Sequence, residues 1–451
     1  MSAKKKWKKL CEFAEQSRQA HKVPGLVVGV LNKGKIKAAG FGVTNLENPL
    51  EVTDETLFQI GSITKTFTGT LAMKLVEDGK LDLDAAVRSY LPEFKVVDQD
   101  ASQKVTIRHL MTHTSGWFGD FFLDTGPGDD APAKYMAEMA NLEQLAPIGT
   151  VWSYNNAGFY LLGTVIETIM GKSFQQALRQ EVLEPLGLQQ TFFDPGDVIT
   201  YRFASGHEGN RVARPWPLPR AAYPAGGITC SVNDLLRYAR FHMSEGLISD
   251  DKRLLTKDSL VQMQTPQVSV WKEEKWGLTW AISDTYGIRL VSHGGGTMGQ
   301  VSQLIIVPER DFAVVVFTNA DEGGKATLDI TRQALKTYLG IEISDPEPID
   351  TTKDVLAQYV GTYTRPFADI HLGILGDRLV GQVTHKMGFP DKDFPPPPPP
   401  PPFTVGLCEE DRLIILDGPM KSGTAEIIRK EDGSIGWLRF GRIHKKQVQS
   451  Q

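Results

Sequence analysis

The chain has 451 residues, 41% hydrophobic and 23% charged, which allows about three domains and a substantial core. Its formal net charge of −5 argues against a nucleic-acid partner. Cys11, Cys230 and Cys408 are far apart and odd in number, so they read as reduced thiols in a reducing compartment and not as a disulfide framework.

The chain opens with the cluster Lys4-Lys5-Lys6-Trp7-Lys8-Lys9, which runs into the polar Glu12, Glu15, Gln16, Ser17 and Arg18. No apolar stretch of signal-peptide kind follows, so the cluster reads as a solvated helix start and the expected location is cytoplasmic. Val23 to Leu31 is too short to span a bilayer and reads as a buried strand, with a second strand over Lys35 to Phe41. Next comes Gly61-Ser62-Ile63-Thr64-Lys65, where Ile63, Phe67, Leu71, Ala72, Leu75 and Val76 begin a helical pattern that Gly79 closes. An SxxK pair there sets a hydroxyl and an amine one turn apart on one face, a nucleophile with its own base. The plainer alternative is that Ser62 only caps the helix.

His109 and His113 have the i, i+4 spacing of a metal pair but lack an adjacent glutamate and a third ligand, so capping or core hydrogen bonding is expected. Trp117 and Phe118 follow, with Phe121 and Phe122, and are candidates to line a cleft for an apolar acyl group or else to be core. Asp120 to Pro132, rich in Gly, Asp and Pro, reads as a mobile flap. Tyr154-Asn155-Asn156 lies on a turn between the breakers Pro147 and Gly149 and a helix closed by Gly171. With Lys65 as a nearby cation, the Tyr154 phenol could shuttle a proton. His293-Gly294-Gly295-Gly296 lies between strand-like runs, and its glycines either admit close backbone approach to a ligand or form a flexible turn. There is no GxSxG elbow and no Walker A run, and Gly40-Phe41-Gly42 lacks the third glycine of a dinucleotide turn. Neither cofactor nor metal is expected.

Taken in order, the SxxK, YxN and HxG segments resemble the class C β-lactamase superfamily of serine hydrolases, over roughly residues 5 to 340. The runs Val23 to Asn32, Thr106 to Gly116 and Ala225 to Ala239 are similar to its framework. The resemblance implies an α+β, β-lactamase/transpeptidase-like fold over 1–340, with an all-α part at about 62–188 and the site in the cleft between the halves. It implies an acyl-enzyme on Ser62, with Lys65 and Tyr154 sharing the base role. It further implies an oxyanion hole from the Ser62 and Gly296 backbone N–H groups, substrate contacts from His293 and Gly295, and for Asn156 either a hold on the lysine amine or a contact with a substrate amide. Penicillin-hydrolysing members usually carry Lys-Thr-Gly where this chain has His293-Gly294-Gly295, which weakens anchoring of an anionic substrate and favours small esters, amides or short peptides, possibly D-aminoacyl. The alternatives are a β-lactamase or a non-catalytic scaffold.

After a linker at 341–352, six short alternating runs between Tyr359 and Phe440 predict a small antiparallel barrel over 353–451. It is similar to the lipocalin-like domain of some peptidases of the superfamily. Its expected role is to restrict access to the cleft or to mediate self-association, leaving a homo-oligomer open. The eight prolines Pro395 to Pro402 predict a stiff spacer, or a rod that reaches the cleft mouth with Phe394 and Phe403 anchoring its ends.

Overall fold

A computed structural model describes residues 1–248 and 252–447. Its centre is an eight-stranded antiparallel sheet, ordered Lys35–Gly42, Gly25–Asn32, Phe312–Thr318, Gln300–Val307, Leu290–Thr297, Ala281–Ser283, Glu274–Trp276 and Val268–Trp271. The first strand of the chain therefore pairs with a strand that returns some 280 residues later, Val28 opposite Val316 and Val30 opposite Val314, while Lys35–Gly42 forms the sheet edge beside it. Both faces of these central strands are covered. The N-terminal helix Ala3–Ala20 and the helix Gly323–Leu339 lie on one side, and Val232–Met243 lies on the other. Double burial explains why Phe312–Thr318 is apolar at every position but its last and buried throughout, without the alternation of a half-exposed strand.

The all-α half is built around the helix Thr64–Glu77, whose side chains are buried along most of its length. A helix apolar or small all round belongs at the centre of a bundle. Its threonines satisfy their own hydroxyls: Thr66 donates to the Ile63 carbonyl at 2.8 Å and Thr68 to that of Pro224 at 2.6 Å. Gly79, at φ +67°, ends it in the left-handed turn that the sequence predicts. Asn156–Met170 packs beside it and ends at Gly171 in the same way.

Beyond residue 352, eight antiparallel strands close into a barrel, leaving no open edge. Six of them fall on the predicted runs. Phe403–Glu409 and Arg442–Lys446 are additional. The barrel is docked on the all-α half through backbone donors: the Tyr154 N–H donates to the Gly441 carbonyl at 3.1 Å, and the Ile443 N–H to the side-chain Oγ of Ser153 at 3.2 Å. Trp437 Nε1 adds a bond to the Leu145 carbonyl at 2.9 Å. Pro395 to Pro402 are mostly exposed, Phe394 is exposed, and Phe403 is buried in the barrel, so only one end of the rod is anchored as expected. Among the described residues no helix is long and apolar enough to cross a membrane.

Candidate active site

Ser62 lies in a tight 3₁₀ turn, Gly61–Ile63, that leads into the helix Thr64–Glu77. It does not cap that helix, since no side chain bonds the first helical N–H groups. Instead its hydroxyl accepts from Lys65 Nζ at 3.0 Å. The amine also donates to the Ala225 carbonyl at 2.7 Å and sits over the rings of Tyr154 and Phe159, 5.1 and 5.5 Å from their centroids. Lys65 is fully buried. Burial, then repulsion from Arg442, pushes its pKa well below the usual lysine value against a smaller pull from Asp120. Burial thus favours the uncharged form of the amine that lies beside the serine hydroxyl.

Tyr154 lies at the end of an extended segment, immediately before Asn155 caps the helix Asn156–Met170 by accepting from the Gly158 N–H at 2.9 Å. Its hydroxyl is buried facing Ser62 but makes no hydrogen bond of ordinary geometry with a described residue. Burial pushes the phenol up, partly offset by Ser62 and by the Arg442 guanidinium, so it rests protonated. The cation over its ring at 4.7 Å is Arg442. Arg442 thus joins Lys65, the cation expected there, over this ring, and the same guanidinium lowers the lysine's own pKa.

His293, Gly294, Gly295 and Gly296 lie inside the strand Leu290–Thr297, and the turn falls later, at Met298-Gly299. The flexible-turn reading is thus excluded. A Cβ on Gly295 would stand 1.9 Å from the Ile60 carbonyl oxygen, and one on Gly61 would stand 2.6 Å from the Gly296 nitrogen. Absence of side chains lets the turn that carries Ser62 lie against this strand. His293 Nδ1 is 2.6 Å from the Gly294 carbonyl, which can only accept, so Nδ1 holds the proton and Nε2 presents a lone pair. Burial, then Lys65, lowers its pKa to about 3.

Ser62, Tyr154, Asn156, His293, Gly295 and Gly296 all line one cleft of about 600 Å³. Trp117 and Phe118 do not. Both are buried in the main core, Trp117 against Phe94, and that packing replaces the expected substrate contact. Phe122 reaches the cleft from the same segment. The segment is tied down: Tyr135 donates to the Phe121 carbonyl at 2.6 Å and the Lys392 N–H to that of Phe122 at 2.8 Å. It is a wall shared with the barrel and not the predicted free flap. His109 takes the capping role, accepting from the Thr106 N–H at 3.1 Å. His113 instead accepts from the Asn155 N–H at Nδ1, 3.0 Å, while its carbonyl accepts from Ser153 N–H at the same distance.

The barrel supplies cleft residues that sequence reasoning missed, namely Phe389, Pro390 and Arg442. Arg442 donates from Nε and Nη2 to Asp120 at 3.0 and 3.3 Å. Arg365 donates to the same carboxylate at 2.6 Å, and Asn156 Nδ2 at 2.9 Å. Although burial opposes it, Arg442 and Arg365 together hold Asp120 well below the usual carboxylate range. Two guanidiniums on one carboxylate leave a surplus positive charge at the cleft wall.

The family model described as Beta-lactamase matches residues 12–338. The chain is 35% identical over 369 residues to Penicillin-binding protein 4 of Amycolatopsis lactamdurans, a match covering 77% of this chain and 95% of the relative. It superposes on the octameric penicillin-binding protein homologue from Pyrococcus abyssi with a TM-score of 0.66 and 27% identity, over 97% of this chain and 98% of that one. The fold is also that of SurE, solved with D-Leu, with a TM-score of 0.74 and 24% identity over 98% and 99% of the two chains.

Proposed function

The chain belongs to the β-lactamase family, and from that premise we propose that it hydrolyses small esters or amides, including short peptides, through an acyl-enzyme on Ser62. The observation that carries this reading is the fully buried Lys65 amine 3.0 Å from Ser62 Oγ, its pKa pushed down by burial. A desolvated amine can take the hydroxyl proton as the serine attacks a carbonyl, and Tyr154 can pass a proton to the leaving group. The backbone N–H groups of Ser62 and Gly296 are assigned to the developing oxyanion, at about 3 kcal/mol per donor. Support for that assignment is the contact of Gly61 with Gly296, which brings the two peptide units together.

The substrate class follows from charge. The lysine missing beside Gly294 leaves no cation on that strand, and His293, its pKa lowered to about 3 by burial, is neutral at pH 7. Arg442 enters from the barrel and supplies the cation from another direction. The preferred substrates therefore carry a carboxylate near the scissile bond, as a peptide with a free C-terminus does. A β-lactam also carries one, so Arg442 keeps β-lactam hydrolysis as the second reading.

The test is a panel of p-nitrophenyl esters, D- and L-aminoacyl anilides, peptides with free and amidated C-termini, and nitrocefin. Turnover of esters or free peptides that vanishes in Ser62→Ala is the expected result. Preferential turnover of nitrocefin would move the assignment to β-lactamase, and turnover unaffected by Ser62→Ala would remove the hydrolase reading.

A further inference from the structure

The barrel holds an internal cavity of about 170 Å³, separate from the catalytic cleft. Its wall is apolar, formed by Ile370, Leu372, Leu413, Ile415, Ala425 and Leu438. A dry apolar cavity of about 150 Å³ takes a benzene-sized molecule, so this one has room for a single ring or a chain of about six carbons.

Its polar groups gather where Arg365, His385 and His444 line it. The Arg365 side chain is only 10% exposed. Nη1 donates to Asp120 at 2.6 Å and Nε to His444 Nε2 at 3.1 Å, while Nη2 has no acceptor among the described residues. His385 Nδ1 is buried without a partner among the described residues. The same carboxylate must serve Arg442, so Arg365 is only half compensated. A buried, under-neutralised guanidinium with a free N–H favours an anionic oxygen at that point.

The proline run has a place here as well. Gln382 Nε2 donates to the Pro400 carbonyl at 2.8 Å, and Pro400 lines the cavity. The stiff rod thus forms one lip of the opening and holds it without a hydrogen-bonded strand.

We propose that the barrel interior is a binding site for a small apolar carboxylate, its hydrocarbon among Ile370, Leu413 and Leu438 and its carboxylate on Arg365. Titration calorimetry of the full chain with benzoate and hexanoate tests it, with benzyl alcohol and hexanol as neutral counterparts. Saturable 1:1 binding is expected, at least tenfold tighter for the acids. The single substitutions Ala425→Phe and Ile415→Phe fill the cavity from two strands and abolish binding, with circular dichroism confirming that each folds. Absence of binding, equal affinity for acids and alcohols, or binding that survives in a folded cavity-filled variant would each overturn the proposal. The readout needs no turnover, so it stands apart from the hydrolase reading.

Discussion

His113 shows how much depends on a residue that touches no substrate. It has φ +57°, a conformation uncommon outside glycine and asparagine, and its carbonyl and ring nitrogen hold the N–H groups on either side of Tyr154. Its ring lies 4.3 Å from that of Tyr154. His113→Leu removes one of the two acceptors and the ring contact, and should lower kcat about 100-fold through a misplaced phenol while KM changes little. His113→Asn keeps an acceptor and tolerates the backbone, so it should recover most of the loss. Equal losses in the two variants would show that the bond to Asn155 does not position Tyr154. At this scale Ser62, Lys65 and Tyr154 were legible, because each stands in a short run with a helix start beside it. Arg442 and Asp120 were not, since their meaning arises only when residues more than 300 positions apart meet.

Among the elements, the glycine strand makes the sharpest contrast. A Cβ on Gly295 meets the Ile60 carbonyl at 1.9 Å, whereas one on Gly296 finds nothing closer than 4.0 Å. Gly295→Ala must push the Ser62 turn off the sheet, so chemical denaturation should show a loss of about 2 kcal/mol or more, with activity largely gone. Gly296→Ala should stay within about 1 kcal/mol of the parent. If both fold equally well, the turn does not depend on that close approach. The strand and helix periods placed the sheet, the nucleophile helix and most of the barrel correctly. Trp117 and Phe118 misled because an aromatic run after a helix has no period that separates cleft from core. Arg442–Lys446 escaped because its charged residues hide the alternation, although Ile443 and His444 are buried.

For the molecule as a whole, the cleft is complete only with the barrel in place. Arg442→Gln should raise KM at least tenfold more for substrates with a free carboxylate than for neutral p-nitrophenyl esters, since its effect on Lys65 and Tyr154 is common to both, and parallel changes in both would refute its anchoring role. Acid sensitivity is a second property of the whole. Burial lowers His242, His293 and His444 from an ordinary value of 6.5 to about 3, with Lys65 adding to the effect on His293 and Arg365 to that on His444. Between those values the unfolded chain binds protons that the folded chain refuses, so stability is full above pH 6.5 and falls as the pH drops toward 3. Thermal unfolding followed from pH 7.5 to 4 should show that decline, and His242→Gln should flatten it; an unchanged slope would mean His242 does not contribute. The account as a whole turns on a serine activated by a buried lysine, which fluorophosphonate labelling near neutral pH, read by peptide mass spectrometry, tests most directly. A single adduct on Ser62, formed at least 100-fold more slowly in Lys65→Met, is the predicted result, whereas an adduct elsewhere, or labelling of Lys65→Met at the parent rate, would contradict it.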